Sequence, residues 1–112
     1  MTLLEAKDFL RDKYFSECKT TKDVQEALGN YTLECFGEKN GNKAVSELQK
    51  IQAKLARKNP VPTPEVMNKM FSDFGAYVSK KKLAIKEDFN PVTFVIMTIV
   101  AAELEAELST AN

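Results

Sequence analysis

An all-α fold, a compact bundle of four to five helices, follows from three features of the sequence. Apolar residues recur at three- and four-residue spacings along most of the chain, two stretches open on Thr-Pro or Asn-Pro, and only four Gly and four Pro interrupt 112 residues. The 44% hydrophobic and 29% charged composition is that of a globular chain. Its length suits one domain, 1–112, built on one core.

Thr2 followed by Glu5 reads as a capping box, so the first helix runs from about Leu3 to Phe15, with Leu3, Ala6, Phe9, Leu10, Lys13 and Tyr14 on one stripe. A second start signal, Thr20-Thr21-Lys22-Asp23, precedes Val24, Ala27, Leu28, Tyr31 and Cys35, which predicts a second helix to about Phe36. Two glycines and two asparagines between Gly37 and Asn42 predict a turn. Ala44, Val45, Leu48, Ile51, Gln52 and Leu55 then form a narrow apolar stripe on a third helix, which must end near Lys58 because Pro60, Pro62 and Pro64 force an extended connector.

Thr63 as cap and Pro64 in the first position open a fourth helix, whose stripe is Val66, Met67, Met70, Phe71, Phe74, Tyr77 and Val78. Ser72, Gly75, Ala76 and Ser79 make a ridge of small residues beside it. A short connector follows, in which Leu83, Ala84 and Ile85 are expected to tuck under the core. Asn90 and Pro91 start the fifth helix, which is apolar nearly all round from Val92 to Ala102 and acidic from Glu103 to about Leu108. This C-terminal helix is expected at the centre of the bundle.

Several kinds of chemistry are excluded by composition. With no histidine there is no Ser-His or Cys-His pair and no His-containing zinc site. Neither a phosphate-binding glycine loop nor an alternating Asp/Asn calcium loop occurs. Glu103 and Glu107 share a helix face, but a metal site in a bundle usually adds a Glu-x-x-His motif, so they read as a solvated end. Ser79 and Lys80 are adjacent and do not face each other. The expectation is no catalytic residue, no metal and no cofactor.

The start carries acids where an export signal would be basic and then apolar, which predicts a cytoplasmic protein. The apolar run of 11 residues is too short for a membrane span. Cys18 and Cys35, at the two ends of a predicted helix roughly 20 Å long, are expected to be reduced thiols rather than a disulfide.

Two functions remain. The first is a protein-interaction module, an adaptor or inhibitor that self-associates as a homodimer. Its interface would be the second apolar face of the last helix (Phe94, Met97, Ala101, Leu104, Leu108) with Met67, Met70 and Phe74 of the fourth. The alternative is nucleic-acid or phosphorylated-ligand binding through 43–86, which carries ten basic groups against three acidic, with Lys54, Arg57, Lys58, Lys80, Lys81, Lys82 and Lys86 as the anion contacts. The plainer account of those lysines is a solvated face that complements the acidic end of the last helix.

Overall fold

The computed structural model describes residues 2–58 and 63–110 and is all-α, with no strand among the described residues. Its four helices are α1 (Leu3–Phe15), α2 (Thr21–Lys58), α3 (Pro64–Lys81) and α4 (Pro91–Thr110). The proline connector expected over 59–62 lies outside the described residues. The chain forms two units, residues 1–31 with 93–112 and residues 32–92.

Capping sets all four starts where the sequence predicts them. Thr2 Oγ1 accepts the Glu5 N–H at 3.1 Å, and Thr63 Oγ1 accepts that of Val66 at 3.2 Å. Asn90 Oδ1 accepts the Val92 N–H at 2.9 Å. The fourth start is a reciprocal box: Thr20 Oγ1 accepts from Asp23 N–H, while Asp23 Oδ2 accepts from the N–H groups of Lys19 and Thr20. Those two backbone donors hold the Asp23 carboxyl below its ordinary range.

In the first unit, α1 and α4 run parallel, because Lys7 pairs with Glu103 at 2.6 Å and, one turn on in both helices, Arg11 pairs with Glu107 at 2.6 Å. The Arg11 fork is two-pronged, with the second N–H···O at 3.3 Å, and it lowers the Glu107 pKa. Between the helices lies an aromatic column, Tyr14 edge-on to Tyr31 and Tyr31 stacked on Phe94. The acidic end of α4 thus finds basic partners on α1. Leu3 and Phe9, expected on the buried stripe of α1, are exposed; Leu10 and Phe15 are the side chains it buries.

In the second unit, α2 bends at Gly37, whose φ of 79° and ψ of 172° lie where only glycine rests without strain. The turn expected over Gly37–Asn42 is therefore one residue wide, and the helix resumes at residue 38. Gly41 lies inside that second arm: a Cβ there would stand 3.1 Å from the Thr32 methyl, although nine residues of straight helix span about 13 Å. Beside the bend, the Cys35 carbonyl takes donors from outside the helix. The N–H groups of Ile85 (2.8 Å) and Lys86 (3.2 Å) supply two from the connector.

The connector is tied down further. Asn40 Nδ2 donates to the Leu83 carbonyl at 3.2 Å, Lys86 pairs with Glu34 at 3.0 Å, and Phe36 meets Phe89 with centroids 4.8 Å apart. With Gln52 beside Met70, these contacts set the second arm of α2 antiparallel to α3. The ordering of Leu83–Phe89 explains why Leu83 is buried as expected while Ile85 is not. Its backbone turns in to Cys35, and its side chain ends over Gly37, 64% exposed.

The end of α3 carries a strained residue. The Lys82 N–H reaches Ser79 O and the Leu83 N–H reaches Val78 O, a Schellman close with Val78 and Leu83 both buried, and Lys82 sits at φ 53°, ψ 47° where glycine is usual. A non-glycine residue there costs about 1–2 kcal/mol, partly offset by the chain entropy glycine would lose. Lys82→Gly is therefore expected to raise the urea midpoint by the equivalent of roughly 0.5–1 kcal/mol. An unchanged or lower midpoint would show that the strain is absent in solution.

Candidate interaction surface

The residues expected to form a partner face on α4 are inside the chain. Phe94 and Met97 are 0% exposed, Ala101 and Leu104 are buried, and Leu108 is half-buried. Met70 and Phe74 of α3 are buried as well, and Met67 is half-buried. Most of these side chains are core in a single copy, while Leu108 and Met67 keep part of their surface. The physical reason is that Leu10, Phe15, Val24 and Tyr31 supply enough bulk in the first unit to leave α4 little apolar surface to spare. No polar or charged side chain is buried among the described residues.

The basic residues divide into two groups. Lys54, Arg57 and Lys58 end α2; Lys80 and Lys81 end α3, with Lys82 as its cap. The register of α2 on α3 places Lys43, not Arg57, level with Lys80, and residues 43 and 57 are about 21 Å apart along α2. All but the half-buried Lys86 are exposed, and most stand at helix C-termini, where cations offset the dipole. Lys86 is paired with Glu34, and the α4 N-terminus holds the Asn90 cap and Pro91. The seven residues do not form one anion site.

Charge is nonetheless segregated. Residues 1–31 with 93–112 hold five basic and nine acidic groups, net −4; residues 32–92 hold eleven and seven, net +4. Glu103 and Glu107 are in ion pairs with α1, and no group of three or more acidic or cysteine side chains fit for a metal occurs among the described residues. Cys18 and Cys35 are both thiols; Cys35 is fully buried, and burial pushes the Cys18 thiol up, which slows its chemistry. No helix among the described residues is long and apolar enough to cross a membrane.

What the sequence did not point to is an open groove of about 460 Å³ between α3 and the connector. Gly75, Val78, Ala84, Phe89 and Pro91 make its floor, and Ser79, Lys82, Ile85, Lys86 and Glu87 its rim. Gly75 permits its depth, since a Cβ there would meet Pro91 Cγ at 3.2 Å. Of the small ridge on α3, only Gly75 has this role; Ser72, Ala76 and Ser79 are exposed. The only sequence signal was Ile85 and Phe89 flanking the charged Lys86-Glu87-Asp88, a connector too polar to bury whole. Fold and surface define an all-α chain with an apolar groove on its basic unit. The chain matches no known protein family, no curated protein and no solved structure.

Proposed function

We propose that the chain is a non-catalytic protein-interaction module, an adaptor or small inhibitor that needs no metal or cofactor and associates with itself. The observation that carries this reading is Ile85, 64% exposed on the rim of an apolar groove whose connector is held by hydrogen bonds to Cys35 and Asn40. An apolar side chain fixed in water beside an apolar floor costs little further order when a partner covers it. A single helical domain with the apolar α4 at its centre fits the burial of seven α4 side chains. A cytoplasmic setting fits two cysteines that stay reduced.

A second reading, polyanion binding, is favoured by the net charge of +4 on residues 32–92. It is weakened by the separation of the lysine groups and by a single arginine in the basic segment. One experiment separates the two: capture from a native cytosolic extract on immobilised wild type and Ile85→Glu, with circular dichroism confirming that both are folded. The interaction reading expects a protein, another kind or further copies of this chain, held by wild type and lost on the variant. Equal capture by both removes it. A nucleic acid held by both and released steeply as salt rises establishes the polyanion reading instead.

A further inference from the structure

We propose that the groove's partner is a second copy of this chain, which seats the outer face of its α1 there; this rests on the reading of the groove as a protein-docking surface. Residues four apart on a helix form rows, and α1 has four. Ala6, Leu10 and Tyr14 form the inward row, with Leu10 buried and the other two half-buried. The next row is committed to α4, because Lys7 and Arg11 are held by Glu103 and Glu107.

The two remaining rows, Leu4-Asp8-Asp12 and Glu5-Phe9-Lys13, are exposed at every position, with Leu4 at 66% and Phe9 at 54%. Since α1 spends Lys7 and Arg11 on α4, its outward face is left with two apolar side chains among three carboxylates, and Lys13 lies over the Phe9 ring. The groove offers the complementary set: an apolar floor and Ile85 for Leu4 and Phe9, Lys82 on its rim, with Lys81 next to it in sequence at the end of α3, for the carboxylates, and Glu87 for Lys13. Net charges of −4 and +4 on the units that carry these surfaces favour the same encounter. The seating is reciprocal, each copy's face in the other's groove, which closes the assembly at two copies.

The test is light scattering after size exclusion, with charge reversal on each surface. Wild type at micromolar concentration is expected at twice the 12.6 kDa chain mass. Asp8→Lys with Asp12→Lys, and separately Lys81→Glu with Lys82→Glu, should each run as monomers, and mixing the two should restore the doubled mass because every contact is again between opposite charges. Uncharged Leu4→Gln should weaken the dimer without any change of charge. A wild type that stays monomeric overturns the proposal, and so does a dimer that survives the α1 reversals or a mixture that stays monomeric beside a dimeric wild type. If wild type is monomeric yet a different protein is captured in a way that Ile85→Glu abolishes, this proposal falls while the docking reading stands; loss of both capture and dimer removes both.

Discussion

Gly37→Ala is expected to destabilise the chain by about 1–3 kcal/mol, roughly 4–12 °C in Tm, because the backbone at φ 79°, ψ 172° lies in a region that side chains avoid. Space is not the obstacle, since the nearest atom to an added Cβ is Ile85 Cδ1 at an ordinary 3.7 Å. The cost is conformational, and its alternative is worse. A chain that relieved the strain by continuing α2 straight would move the Cys35 carbonyl away from the two connector N–H groups that now donate to it. The groove should then be lost together with stability. Gly29→Ala is the control, because an added Cβ there meets nothing within 4 Å. In a helix interior that change should stabilise by about 0.5–1 kcal/mol. Urea unfolding of both variants decides it, and a Gly37→Ala protein as stable as wild type would mean that the bend is not held at residue 37.

Legibility in the sequence followed the range of the forces involved. Local signals were readable: Thr2, Thr63 and Asn90 cap where expected, Pro64 and Pro91 open their helices, and the stripe from Val66 to Val78 is half-buried or buried throughout. Each depends on residues within one or two turns. Gly37–Asn42 misled because Asn and Gly carry the same turn signal whether they break a helix or serve a tertiary contact. Asn40 is helical and spends its amide on Leu83, and Gly41 is helical because Thr32 comes close. Two i, i+4 bases on α1 and two i, i+4 acids on α4 were visible as patterns. Nothing in the sequence said that α1 would lie parallel to α4 in that register. The groove was least legible of all, since it depends on the close approach of Pro91 to Gly75 and on the turning out of Ile85, both non-local.

Met97→Lys is expected to unfold most of the protein, not to release a folded monomer. Met97 is 0% exposed on α4, beside Phe94, Val100 and Ala101, which are all buried, and no buried charged side chain is present among the described residues to pair with an ammonium group. An unpaired charge at such a site costs on the order of 4 kcal/mol or more, much of the 5–15 kcal/mol that a small domain commands. A surface methionine at a subunit interface would behave differently, since its charged variant would keep the helical spectrum and change only the mass. Met97→Leu, which keeps volume and apolarity, should cost less than about 1.5 kcal/mol. The pH dependence identifies the cause. Burial lowers the pKa of the new lysine in the folded state below its unfolded value of about 10.4. The deficit against wild type is then full below the folded pKa, shrinks as pH rises between the two values, and vanishes above the unfolded one. Circular dichroism and urea melts of Met97→Lys and wild type, taken at neutral pH and near the unfolded lysine pKa, would show this narrowing gap. A Met97→Lys protein that is folded and monomeric at neutral pH would instead put this side chain on the outside of the molecule.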